Sequence, residues 1–146
     1  MENDIKKLIK EVLEKGYLMS LGTQDEGGVW VCDVIYVFDD DFNLYWMSTG
    51  FRRHSKAIEK NPQVAVAITV SARDEKDFGI QINGQAAAIK EKRYDLAVPY
   101  FTKRGQKIPK EDEDFLGEHV WYVLKPKKIE LICQEFFGFE KQKLEL

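Results

Sequence analysis

The sequence predicts a mainly β protein, a small antiparallel barrel with a few short helices. Six or seven runs rich in β-branched and aromatic residues succeed one another from Tyr17 onward. The breaks between the first of them are short and turn-rich, as antiparallel neighbours require. Strands and helices do not alternate throughout, which disfavours a doubly wound nucleotide-binding fold. At 146 residues the chain is expected to be a single domain, 1–146, with no linker, repeat or low-complexity tract. A domain of this size buries roughly two-thirds of its unfolded surface and needs no disulfide or metal for stability.

The first element is a helix. Ile5, Leu8, Ile9, Val12 and Leu13 form one apolar stripe at helical spacing. Asn3 or Asp4 is expected to cap its start, and Gly16 to stand at the C′ position. Tyr17 to Leu21 is a strand, followed by the turn cluster Gln24-Asp25-Glu26-Gly27-Gly28. Val29 to Phe38 reads as one long strand ending in Asp39-Asp40-Asp41, with Leu44 to Ser48 returning beside it, so the first three strands form a meander. Ser55 to Lys60 is a short helix stopped by Asn61-Pro62, because proline disfavours helix in the residue before it.

Val64 to Val70 alternates valine and alanine and reads as a strand buried on both faces. Phe78 to Lys90 is the next strand, where Gly84 marks a bulge or a close approach by another backbone. Glu91 to Tyr100 is helical and ends or kinks at Pro99. Lys103 to Asp114 is loop with a short helix. His119 to Leu124 and Ile129 to Cys133 are two strands separated by Lys125-Pro126-Lys127.

Composition narrows the function classes. Apolar residues make up 44% and charged residues 32%, an ordinary globular balance. Lysine and arginine number 22 against 25 acids, a net charge of −3, which argues against nucleic acid as a partner. Trp30, Tyr36, Tyr45 and Trp46 could stack bases, but alternating aromatics in strands are more simply core. No apolar run approaches the ~20 residues of a membrane helix, and the acidic start Met1-Glu2-Asn3-Asp4 is unlike a signal peptide. The expected compartment is the cytoplasm. Cys32 and Cys133 form no CxxC pair and His54 and His119 are the only histidines, so no metal site is expected. P-loop, GxGxxG and GxSxG motifs are missing.

One stretch carries chemistry. The seventeen residues from Phe42 to Ile58 contain no acid, where the composition would place about three. They run from a strand end, through Ser48, Thr49 and Gly50, into Arg52, Arg53, His54, Ser55 and Lys56 at a helix start. Unpaired N–H groups and the helix dipole favour an anion there. Hydroxyls and arginine can donate to phosphate oxygens.

The run from Leu44 to Ala65, Leu-Tyr-Trp-Met-Ser-Thr-Gly-Phe-Arg-Arg-His-Ser-Lys-Ala-Ile-Glu-Lys-Asn-Pro-Gln-Val-Ala, resembles the FMN-binding split-barrel family related to pyridoxamine 5′-phosphate oxidase. The leading helix, the Val29–Phe38 hairpin and the Asn83-Gly84 strand agree, so the likeness covers roughly residues 5–135. It implies a six-stranded antiparallel split β-barrel with flanking helices, FMN as cofactor, and a homodimer with the cofactor at the subunit interface. It implies hydride or electron transfer from a reduced nicotinamide or another small-molecule donor. The alternative is a non-catalytic flavin or haem binder of the same fold. Carried over by position, Met47, Ser48 and Thr49 lie near the flavin and its phosphate. Arg53 and His54 form the basic phosphate-binding pair, with Lys56 a turn away. Cys32, Asp33, Val34 and Ile35 line the ring through main chain. Trp121 or Phe137 could cover the ring, although Trp121 reads better as core. Two departures speak against pyridoxamine phosphate as substrate. Gly79 stands where the family oxidase has glutamine, and the tail Phe136-Phe137-Gly138-Phe139 lacks an Arg-x-His element.

Overall fold

The computed structural model describes all residues, 1–146. Helix α1 (Glu2–Lys15) leads into strands β1 (Leu18–Asp25), β2 (Gly28–Ile35), β3 (Val37–Phe38) and β4 (Leu44–Thr49). Helix α2 (Arg53–Lys60) precedes β5 (Gln63–Thr69) and β6 (Phe78–Ile89). Helix α3 (Tyr94–Lys103), β7 (His119–Cys133), the single turn α4 (Gln134–Phe137) and β8 (Gln142–Glu145) complete the chain. The ladder runs β2-β1-β5-β6-β7-β4-β3, with β8 on β7, and every pairing is antiparallel. This is the expected split barrel with more strands than the six the resemblance implies; against the strands read along the chain, one is broken, the last two are joined and the tail adds another.

The broken strand explains how the barrel closes. Val29–Phe38 does not run through as one strand: the β1–β2 and β3–β4 hairpins form as expected, but β4 pairs β3 and β7 rather than β2, so the expected meander is divided in two. β2 begins the ladder and β3 ends it, and the chain joins those two ends through Tyr36. Tyr36 is fully buried there. Its Oη donates to the Leu13 carbonyl at 2.8 Å, and its own carbonyl accepts from Lys103 Nζ at 2.6 Å. Burial pushes that ammonium down to about 8. Gly16 ends α1 one position earlier than the C′ place expected, as its C-cap, with extended backbone at φ −71° and ψ 142°. Glycine is needed because a Cβ would strike Tyr36 Oη and come within 2.8 Å of Ile68 Cγ2. Neither Asn3 nor Asp4 caps α1, which starts at Glu2 and has no side-chain cap.

The main core joins the α1 stripe (Ile5, Ile9, Val12, Leu13) to inward residues such as Met19, Leu21, Trp46, Ile80 and Leu131. A smaller cluster packs Leu96, Ala97 and Tyr100 of α3 against Val37, Tyr45 and Trp121 on the sheet's other face. Burial on both sides of Pro99 carries α3 through that residue to Lys103, beyond the expected end at Tyr100. The two last strands are one. β7 passes its first half to β4 and its second to β8, with the register shifting opposite Asn83/Gly84. The bulge expected at Gly84 is present. A Cβ there would collide with the Lys125 carbonyl and sit 3.0 Å from Pro126 Cα.

β5 corrects another expectation. Val64, Val66 and Ile68 are buried, while Gln63, Ala65, Ala67 and Thr69 face outward and are exposed. No helix is long and apolar enough to cross a membrane.

Candidate functional site

The bend between β4 and α2 brings Ser48, His54 and Ser55 together and sets Cys32 of β2 against His54. Strand alternation turns Ser48 inward beside Trp46, while Met47 lies half-buried opposite Trp121 among the aromatic residues under α3. Arg52 is the N-cap of α2 and contributes no side-chain cap. The backbone N–H groups of Arg53, His54 and Ser55 precede the first intrahelical bond, from Lys56 N–H to the Arg52 carbonyl, and have no partner inside the helix; the first turn also holds no acid. Just before it, Thr49 is buried and its Oγ1 has no hydrogen-bond partner.

His54 is 8% exposed and both its ring nitrogens are engaged. Nε2 lies 3.0 Å from Ser48 Oγ and Nδ1 lies 3.4 Å from Cys32 Sγ. Ser55 Oγ reaches Ser48 Oγ at 3.5 Å. Burial first, and the charge of Arg52 second, hold the imidazole below its usual range. At neutral pH it is an uncharged link between β2 and β4 rather than a cation. The Cys32 thiol is pushed up by burial and then by Asp33, so thiol and imidazole face each other neutral.

Arg53 turns to the tip of the β1–β2 hairpin. Its Nε donates to Asp25 Oδ2 at 2.9 Å and its Nη2 to Asp25 Oδ1 at 3.1 Å. Its Cζ lies 4.4 Å from the centre of the Trp30 ring. The pairing holds the Asp25 carboxyl below the usual carboxylate range. A groove of about 910 Å³ separates hairpin and helix, lined by Asp25, Gly27, Phe51, Arg53, Lys56 and Lys60. Arg52 and Lys56 are exposed. The hairpin tip lies 28 positions from Arg53, and nothing in the local sequence signals that Asp25 and Trp30 belong to this bend.

Cys32, Asp33, Val34 and Ile35 lie on β2, which pairs with β1 along one edge and begins the ladder, so its other backbone edge is unladdered. Their side chains range from half-buried to exposed, and Asp33 accepts a hydrogen bond from Ser20 Oγ at 2.7 Å. Trp121 is fully buried, donates from Nε1 to the Lys92 carbonyl at 2.8 Å, and is core as expected. Gly79 could carry no glutamine side chain without displacement, since its Cβ would lie 2.6 Å from the Ile68 carbonyl oxygen. Of the four aromatics weighed as base-stacking residues, Tyr36, Tyr45 and Trp46 are buried.

The family model for pyridoxamine 5′-phosphate oxidase matches residues 5–133. The chain belongs to this family. Among its relatives, the UPF0306 protein plu4501 of Photorhabdus laumondii is 27% identical over 100 residues, covering 67% of this chain and 70% of that protein. A heme binding protein from Mycobacterium smegmatis matches 96% of this chain and 57% of its own, with a TM-score of 0.73 at 12% identity. A FAD-binding protein from Mesorhizobium loti matches 83% of this chain and 88% of its own, with a TM-score of 0.66 at 17% identity. These structural likenesses are likenesses of fold, and that fold carries both flavin and haem among its members.

Against the flavin phosphate that the family implies, the donor set at the bend fits. Two hydroxyls, three N–H groups without an intrahelical partner and two exposed cations lie within the run from Ser48 to Lys56, and the Thr49 oxygen is a buried polar group without a hydrogen-bond partner.

Proposed function

We propose that this protein binds FMN at the β4–α2 bend and works as a homodimeric oxidoreductase. The observation that carries the reading is the acid-free, uncapped start of α2 directly behind Ser48 and the unsatisfied hydroxyl of Thr49. Phosphate oxygens would accept from the N–H groups of the first turn. Arg52 and Lys56 would supply the charge, and Ser48 would present a hydroxyl fixed by His54 and Ser55. The unladdered edge of β2 at Cys32–Ile35 would offer backbone donors and acceptors to the polar edge of the ring system. Met47 would contribute a polarisable apolar contact beside it.

When bound, flavin supplies the hydride and electron chemistry, between a reduced nicotinamide or organic donor and a small-molecule acceptor. The chain's part is to hold, orient and shield. Val29, Val31 and Phe51 are 75%, 60% and 62% exposed near the bend. A second subunit placed over them would bury apolar surface and complete the water-excluding wall. Flavin is favoured over haem by the state of the histidines. Both nitrogens of His54 are committed inside the fold, which leaves the exposed His119 as the one histidine free to serve as an axial ligand.

The absorption spectrum of the protein as purified, followed by FMN titration and then NADH or NADPH addition, tests the reading. A yellow protein whose flavin bleaches with a reduced nicotinamide supports it. A colourless protein that takes up no FMN at micromolar concentration refutes it, and a Soret band points to haem instead.

A further inference from the structure

The salt bridge at the hairpin tip bears on which anions the bend accepts. An arginine binds phosphate best through a two-pronged fork of N–H groups, and a carboxylate fits the same fork. Asp25 occupies the Nε/Nη2 fork of Arg53 at 2.9 and 3.1 Å. The carboxylate is itself held by the Gly27 N–H, which donates to Oδ1 at 2.8 Å. Trp30 covers a face of the guanidinium at 4.4 Å. Gly27 packs so closely that a Cβ there would lie 3.1 Å from Nη2. The guanidinium is therefore held on one edge, one face and one corner by the β1–β2 hairpin.

We infer that Asp25 is a specificity-determining residue of the anion site: it acts as an internal carboxylate that occupies the fork of Arg53, so a phosphate can take that fork only by lifting the β1–β2 hairpin tip from α2. The inference rests on the reading that the bend binds the flavin phosphate. It follows that in the native protein the phosphate is held by the N–H groups, Ser48, Thr49, the exposed cations Arg52 and Lys56 and the outer Nη1 side of Arg53, without a clamped Nε/Nη2 fork. Removing the carboxylate of Asp25 returns such a fork to the site. Phosphorylated ligands should gain, and ligands without phosphate should not.

The test compares the full-length protein with Asp25→Asn and Asp25→Ser, each also combined with Arg53→Ala. FMN, riboflavin and inorganic phosphate are titrated by fluorescence or calorimetry, after thermal unfolding has shown each variant folded. Two substitutions guard against one failing to fold, since serine is too short to reach the guanidinium. FMN and inorganic phosphate should each bind the Asp25 variants at least about tenfold more tightly than wild type, one charge-assisted hydrogen bond's worth. Riboflavin affinity should not change, and the gain should vanish when Arg53→Ala is added. Equal or weaker binding of FMN and phosphate by the Asp25 variants overturns the inference and leaves the flavin reading standing. A gain for phosphate with no FMN binding to any protein upholds the role of Asp25 and ends the flavin reading. Binding of neither ligand to any protein overturns both.

Discussion

Acidifying the solution from about pH 7.5 to about pH 5.5 should weaken the fold through His54 by about 1 kcal/mol. Burial and the neighbouring Arg52 hold the folded-state imidazole below its ordinary value, whereas the unfolded chain takes up that proton near 6.5. Between the two values the unfolded state binds more protons, so stability rises with pH and is lost as pH falls through the window. One proton is worth at most about 1.4 kcal/mol per pH unit, and a window centred on the unfolded value limits the total to about the same figure. Protonation also breaks the link itself. Imidazolium donates from both nitrogens and accepts at neither, so whichever of Cys32 and Ser48 donates to the neutral ring loses its acceptor. Urea denaturation at the two pH values, on wild type and on His54→Gln, measures the effect. Glutamine keeps a donor and an acceptor but does not titrate, so the acid-induced drop in midpoint should shrink in the variant. An identical drop in both proteins, or a wild type that gains stability on acidification, would refute the assignment of a buried neutral histidine.

Thr49→Val replaces a buried, unpartnered hydroxyl with a methyl group of similar size. It should stabilise the cofactor-free protein by about 1 kcal/mol in urea while weakening FMN binding severalfold in the same titration. Gly16→Ala needs no unusual backbone at φ −71°, so its cost comes from the collision with Tyr36 Oη and Ile68. Overpacking of about 1–3 kcal/mol is expected, and in a Tyr36→Phe background it should fall by about 1 kcal/mol or more. Strict additivity of the two substitutions in a double-mutant cycle would count against that contact. Gly84→Ala presses a side chain into the Lys125–Pro126 backbone, which cannot rotate away. A loss of about 3 kcal/mol by urea unfolding is expected, and a neutral substitution would contradict the close approach.

Much of the fold was legible because its signals are local. The α1 stripe, the hairpin tips, the Asn61-Pro62 stop and Gly84 each announce themselves within a few residues. The misreadings have one physical source, long-range geometry overriding local pattern. Val29–Phe38 reads as continuous strand, yet Tyr36 is drawn inward by the Leu13 carbonyl and Lys103, and the strand divides there. Gly16 sits where a cap belongs, but an incoming tyrosine hydroxyl excludes a side chain from that position. Lys125-Pro126-Lys127 reads as a break, but a bulge lets β7 pass through it while changing partners. In Val64–Val70, alternation of valine with alanine cannot distinguish a second buried face from an outer face of small residues.

The bend itself illustrates the sharpest difference between composition and chemistry. Its position could be read from a run without acids, since that run and the helix start are contiguous in sequence. The charge it presents could not. Counting side chains yields Arg52, Arg53, Lys56 and a histidine, but folding brings Asp25 across from a hairpin and burial removes the charge of His54. What remains unpaired and exposed is Arg52 and Lys56, so the two positions that resemblance marks most strongly, Arg53 and His54, are in this chain tied to the protein's own side chains. An anion site assembled this way is governed by what the hairpin does. Any ligand that needs the Nε/Nη2 edge of the guanidinium must compete with a carboxylate already at hydrogen-bond distance, and that carboxylate offsets one of the three cations, Arg52, Arg53 and Lys56, that the sequence places at the bend.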